Sequence, residues 1–338
     1  MSVGVEARDL KKVYRSAPRS SGPQNTWTGR PTRRKPRRKV EVVALDGLNL
    51  EVETGRILGL LGPNGAGKST TIGILTTRIR PSSGQALIGG FDVWNESLAV
   101  KPLIGIVPQS PNLDFSLTAR EILLFHGAYF GLSAGERRRR AEDLLRRFQL
   151  SGRADQMANG FSGGMMQRLS IARALMHRPS VLFLDEPSAG LDPQSRLLLW
   201  EIIREIHEQG TTILLTTHNM EEADRLCQQV AIIDHGQIIA QGTPEALKSS
   251  VPGGFLLRLR FDSKVSGLTP ALADLAEIRD VREVEETGLD VYADRGGELL
   301  PRIWEEATRL GLNLNDIHIA EPSLENLFLH HTGRSLRE

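Results

Sequence analysis

Short apolar runs alternate with stretches of helical period along most of this chain. Arg56-Ile57-Leu58-Gly59-Leu60-Leu61 reads as a buried strand, and Ile104-Gly105-Ile106-Val107 and Val181-Leu182-Phe183-Leu184 repeat the pattern. Thr211 to Thr217 is a β-branched strand. Between these runs the period lengthens. From Thr118 to about Gly152, Ile122, Leu123, Phe125, Leu144, Leu145 and Phe148 form apolar stripes, and Glu136 to Arg140 a solvated charged face. Further helices are predicted just after Ser162-Gly163-Gly164, carrying Met165 to Met176, then from about Gln194 to Gln209 and from Glu221 to Cys227. Upstream, Met1 to Val13 suggests a strand ending at Tyr14. Val40 to Leu45, Leu48 to Val52 and Gly84 to Val93 add strands before and after the first helix.

The pair Val230 to Ile233 and Gln237 to Ala240 closes this α/β region. A break at Ser249-Ser250-Val251-Pro252-Gly253-Gly254 divides the chain into 1–248 and a small α+β domain at 255–338. Leu256 to Leu259 and Leu299 to Leu310 carry the strand and helix patterns of that second domain, which offers no catalytic constellation. Residues 15–39, rich in Ser, Pro, Gly and Arg, are expected to form an extended insertion in a β-hairpin.

Composition narrows the picture. The 338 residues include one cysteine, Cys227, so an internal disulfide and a thiolate metal cluster are excluded. No apolar run approaches the roughly 18 residues that cross a bilayer, and the N-terminus lacks a signal-peptide layout, so a cytoplasmic chain is expected. The formal net charge of +1 hides a basic cluster, Arg30 to Lys39. That cluster reads either as a solvated, disordered loop or as a contact surface, and as a contact it suits anionic lipid headgroups better than nucleic acid, because only Trp27 stands near it for base stacking.

The chemistry centres on LLGPNGAGKSTTIGI, Leu60 to Ile74, which fits G-x-x-x-x-G-K-S/T directly after a strand. Gly62, Pro63, Asn64, Gly65, Ala66 and Gly67 can curl so that main-chain N–H groups, with those of Lys68, Ser69 and Thr70 at a helix start, surround phosphate. Lys68 can reach the β- and γ-phosphates and Ser69 can ligate Mg²⁺. Asp185, ending a buried strand, suits Mg²⁺ through its water shell, and Glu186 is the expected general base for water. Gln109 can bridge the metal and a moving partner surface. His218, delivered by the strand from Thr211, can sense the γ-phosphate. ATP and Mg²⁺ are the ligands this set requires.

FSGGMMQ, Phe161 to Gln167, resembles the signature motif of ATP-binding cassette (ABC) ATPases. Ser188-Ala189-Gly190-Leu191-Asp192 looks like their D-loop, Gln109 their Q-loop, His218 their switch histidine and Tyr14 their adenine-stacking aromatic. Phe161 and Met165 depart from the usual signature, but Ser162, Gly163 and Gly164 keep its phosphate-contacting core. The resemblance implies a P-loop NTPase core with an antiparallel β subdomain and, over 110–180, a helical signature subdomain.

It also implies a homodimer with ATP sandwiched between the phosphate loop of one copy and the signature of the other. The tail Pro322 to Leu329, followed by Thr332-Gly333-Arg334, is similar to the branch with daunorubicin-resistance-type exporters and sodium-extrusion ATPases. Members of that branch work with separate membrane permeases, which would place this chain on the cytoplasmic face of the membrane. Two other readings remain open: a soluble cassette ATPase acting on ribosomes or nucleic acid, and a nucleotide-binding regulator without turnover.

Overall fold

The computed structural model describes residues 3–16, 40–265, 267–294 and 297–333. Residues 17–39, with the Arg30 to Lys39 cluster and its expected lipid contact, lie outside the described residues. In chain order the elements begin with β1 (Val3–Ser16), β2 (Val40–Glu53), β3 (Ile57–Leu61), α1 (Lys68–Leu75), β4 (Ser83–Ile88), β5 (Phe91–Asp92) and α2 (Ser97–Val100). Next come β6 (Ile104–Val107), α3 (Ala119–Tyr129), α4 (Ala134–Arg147), α5 (Gly163–Ala174), β7 (Val181–Asp185), α6 (Pro193–Glu208) and β8 (Thr212–Thr217). The chain continues through α7 (Met220–Leu226), β9 (Gln229–Asp234), β10 (Gln237–Gly242), α8 (Pro244–Ser249), β11 (Phe255–Phe261), α9 (Leu268–Ala273) and β12 (Ile278–Val284). It closes with β13 (Gly288–Ala293), α10 (Leu300–Arg309), β14 (Leu314–Ala320) and α11 (Leu324–Thr332).

The chain forms two compact units. One comprises Met1–Ile57, Asn64–Thr216 and Ile233–Ile238; the other comprises Leu58–Pro63, Thr217–Ile232 and Ile239–Glu338. In the first, β1 pairs antiparallel with β2 and with β4, in the order β2-β1-β4-β5. The β1/β2 register closes at Ser16 opposite Val40, so the insertion does join two arms of a hairpin. Val40 to Leu45 and Leu48 to Val52, expected as separate strands, are one strand whose register shifts absorb the polar residues between them. The stretch expected as one strand over Gly84 to Val93 instead breaks into β4 and β5 at Gly89-Gly90.

The same unit holds the parallel strands β6, β7 and β8, whose side chains are almost entirely buried. Four of its helices start on side-chain caps. Thr118 caps α3 with a reciprocal capping box to Glu121, Ser133 caps α4, Ser162 caps α5, and Asp192 caps α6 with Pro193 at its first position. Two expectations for this region need correction. Phe125 is 62% exposed and belongs to no core stripe. The charged face of α4 is only partly solvated, because Arg140 turns inward to donate to the Leu175 carbonyl at 3.1 Å, and burial pushes its pKa down.

In the second unit β3 runs parallel to β9, with β10 beyond β9. Cys227 is buried, and that burial pushes its thiol pKa up. From β11 to β14 the chain follows β-α-β-β-α-β with sheet order β12-β13-β11-β14, antiparallel throughout, a ferredoxin-like arrangement. Leu257, Leu259 and Phe261 of β11 and Leu289, Val291 and Ala293 of β13 meet Leu268 and Leu272 of α9 and Ile303 and Ala307 of α10 in one core. On the opposite face α11 brings His330 edge-on to Tyr292, with centroids 5.1 Å apart.

The Thr118 cap sets where the helical segment begins. Thr118→Ala removes the acceptor for Glu121 N–H and is expected to cost about 1 kcal/mol. Thermal unfolding should show a midpoint about 2–4 °C lower, restored by Thr118→Ser; an unchanged midpoint would show that the cap contributes nothing.

Candidate active site

The phosphate loop is shaped by two left-handed glycines, Gly65 at φ +83° and Gly67 at φ +116°. At Gly67 a side chain is excluded twice over, since a Cβ would lie 2.7 Å from the Ala44 carbonyl oxygen and 2.8 Å from Leu45. The loop is pinned where Gly236 N–H donates to the Ala66 carbonyl at 2.8 Å. Gly67 is the N-cap of α1, which has no side-chain cap. The first-turn N–H groups of this helix are therefore aimed at whatever anion the loop encloses.

Lys68 and Glu186 are both buried, 4% and 7% exposed, with Lys68 Nζ 3.3 Å from Glu186 Oε1. The other carboxylate oxygen, Oε2, accepts from Gln109 Nε2 at 2.9 Å. Three residues far apart in sequence, each expected at the site, thus converge. Glu186 follows β7 in left-handed backbone, φ +49°, a conformation costly for a residue with a side chain. Its N–H donates to the Thr216 carbonyl at 3.0 Å and lies 3.1 Å from Thr216 Oγ1.

Asp185 accepts from Thr216 Oγ1 at 2.6 Å and from Ser69 Oγ at 3.4 Å. Ser69 and Asp185 thereby present two hard oxygen donors side by side, the kind of set that Mg²⁺ accepts with water completing its shell. Thr216, fully buried, orients both acidic residues and was missed by the sequence reading. Its sequence signal was weak, since it is one of three threonines in β8, and its proximity to the two acids exists only once β7 and β8 pair, Asp185 opposite Thr216.

The other expected residues have the following local settings. Gly62 N–H donates to Thr217 O at 3.3 Å, and His218, directly after β8, is exposed. Tyr14 is 39% exposed on β1 opposite Val42, with Lys12 Nζ 5.1 Å from its ring centroid. Ser162 and Gly163 are exposed at the start of α5, where Ser162 Oγ accepts from Met165 N–H at 3.3 Å. Gly164 is buried for a packing reason: a Cβ there would lie 2.7 Å from Ser195 Oγ at the start of α6. Asp192, the last residue of the segment expected to be the D-loop, has its carboxyl held below the usual range by hydrogen bonds from Ser195. Among the described residues no helix is long and apolar enough to cross a membrane.

The profile of the ABC transporter family matches residues 45–189. The chain is 40% identical to the linearmycin resistance ATP-binding protein LnrL of Bacillus subtilis, covering 86% of this chain and 94% of that protein. It is likewise 40% identical to the daunorubicin/doxorubicin resistance ATP-binding protein DrrA of Streptomyces peucetius, over 86% and 88%. The Nod factor export ATP-binding protein I of Paraburkholderia xenovorans is 39% identical, over 88% and 95%. Among solved structures, a dimeric ATP-binding cassette in a post-hydrolysis state with ADP and Pi aligns at TM-score 0.60 and 25% identity, covering 71% of this chain and 98% of that one. An ATP-binding subunit of an ABC transporter aligns at TM-score 0.59 and 29% identity, over 72% and 92%. The phosphate loop, paired acids and signature helix have the P-loop cassette fold around them, and the chain belongs to the ABC transporter family as an ATP-binding, ATP-hydrolysing subunit of the branch that includes DrrA.

Proposed function

We propose that this chain is the motor of an exporter. Two copies close around two ATP molecules and drive a separate membrane-spanning permease, which holds the chain at the cytoplasmic face of the membrane. Residues 1–248 are the ATP-binding part and 255–338 an accessory domain. What carries the reading is the convergence of Lys68, Gln109 and Glu186 beside Ser69, Asp185 and Thr216. The branch of relatives, named for drug resistance and Nod factor export, favours export over a ribosomal or nucleic-acid partner.

Each residue then has a physical role. The loop from Gly62 to Thr70 holds the phosphates by main-chain donors, and Lys68 leaves Glu186 for them. Ser69, Gln109 and Asp185 would hold Mg²⁺, Asp185 through its water shell. When bound, Mg²⁺ neutralises phosphate charge. Released from Lys68, Glu186 accepts a proton from the attacking water. Gln109, already bonded to Glu186, links that carboxylate to the loop after β6, which we place against the permease.

His218 donates a hydrogen bond to the γ-phosphate, and Tyr14 stacks on adenine. The exposed start of α5, with Ser162, Gly163 and Gly164, closes on the ATP of the other copy. It adds helix N-terminal donors and excludes water where charge develops. The Arg30 to Lys39 cluster contacts anionic lipid near the permease, at up to about 1 kcal/mol per basic residue.

Glu186→Gln should lower steady-state phosphate release by about 10² to 10⁴ while ATP still binds. Turnover within tenfold of the parent would remove Glu186 from the role of base. Gly67→Ala combines a left-handed backbone with a clash against Ala44, together worth about 3 kcal/mol or roughly 100-fold in ATP affinity. Gly65→Ala, where no atom lies within 4 Å of the added Cβ, should weaken binding much less. Equal losses at the two positions, read by titration calorimetry, would contradict the steric account of the loop.

A further inference from the structure

The C-terminal sheet ends in an edge that nothing among the described residues covers. β14 is last in the order β12-β13-β11-β14, and its five central residues, Asn315 to Ile319, are all exposed. Ile317 and Ile319 pair with Leu259 and Leu257, both in the domain core, yet remain 37% and 40% exposed. Helix α10, which leads directly into β14, exposes Trp304 at 56%. A free strand edge with apolar residues on it is a template for another strand, and this one carries Asp316 and His318 on either side of Ile317, so a strand that pairs with it must match those polar residues.

We propose that the partner is β14 of a second copy, paired antiparallel about a two-fold axis through Ile317. The sequence Leu314-Asn315-Asp316-Ile317-His318-Ile319-Ala320 is complementary to itself in that register. Ile317 meets its equivalent, Leu314 meets Ala320, Asp316 meets His318 twice and Asn315 meets Ile319 twice. Directly opposed residues of unlike charge or of apolar kind favour a strand pair, and like residues of one charge oppose it. Shifting the axis to His318 would pair Ile317 with Ile319, but it would set the two imidazoles against each other and leave Asp316 facing Ala320, so the Ile317 register, which matches Asp316 with His318, is the one proposed. The result is a continuous eight-stranded sheet across the two copies, with an isologous contact of the kind two-fold dimers use.

A single seven-residue edge buries less than the roughly 1,200 Å² of a stable interface. The contact therefore acts by keeping two cassettes at high mutual concentration between rounds of ATP closure. This deepens the two-copy reading but does not depend on nucleotide, so the two can fail separately.

The test uses the full chain without nucleotide and an added mild oxidant. Because Cys227 is buried, Ile317→Cys supplies the reactive thiol. Cβ atoms directly opposite lie about 4.5–5.5 Å apart, close enough for a disulfide after small adjustment. Ile317→Cys should form cross-linked dimer at least tenfold faster than Arg309→Cys, an exposed control on α10, and faster than His318→Cys. Should Ile317→Cys fail to fold, the doubly substituted Asn315→Cys, Ile319→Cys chain reads the same register, since those positions oppose each other. Cross-linking no faster than the control overturns the proposal, and fastest cross-linking at His318 overturns the register with its Asp316 to His318 pairing. ATP-dependent dimerisation of Glu186→Gln, measured separately by sedimentation, reports on the cassette sandwich alone.

Discussion

An ammonium and a carboxylate, both buried, hold the catalytic end of this protein together. At the 3.3 Å separation of Lys68 and Glu186, their attraction at an effective dielectric of about 20 is on the order of 5 kcal/mol. Removing the two ions from water costs several kcal/mol each. The pair is thus close to balance, and a ligand that brings more negative charge than one carboxylate can take the lysine. The polyphosphate of ATP is such a ligand. In this arrangement the proposed base is occupied until the phosphates arrive, because Gln109 holds its second oxygen.

The surrounding fold serves that exchange. Glu186 is held in left-handed backbone by bonds from its N–H to Thr216, and the same threonine fixes Asp185. Two acids with different proposed tasks are therefore set by one residue on the adjacent strand. The start of α5 leaves Ser162 and Gly163 exposed, while Gly164 allows close approach to α6. The ferredoxin-like domain has a βαββαβ order that leaves β14 at a sheet edge.

Much of the site could be read before any coordinates. Gly62 to Thr70, Asp185, Glu186 and Ser162 to Gly164 lie in motifs whose spacing is local, and a loop that must wrap phosphate needs glycine wherever it curls. The strand and helix starts were legible for the same reason: capping residues such as Thr118, Ser162 and Asp192 act within three residues of themselves. Phe125 and Arg140 were misread because exposure is decided by neighbours from other segments. A period of 3.6 says which residues share a face, but not which side of that face meets water.

By itself, then, the sequence determined the Gly-rich turn before α1, the apolar strands β3, β6, β7 and β8, and the pair of acids at the end of β7, because each depends on residues a few positions apart. Tertiary structure alone decided that Lys68, Gln109 and Glu186 meet, that Thr216 governs both acids, that Gly164 is a packing residue and that β14 lies at an edge. All of these need strands from distant parts of the chain to lie side by side, and hydrogen-bond distances have no signature in the linear order.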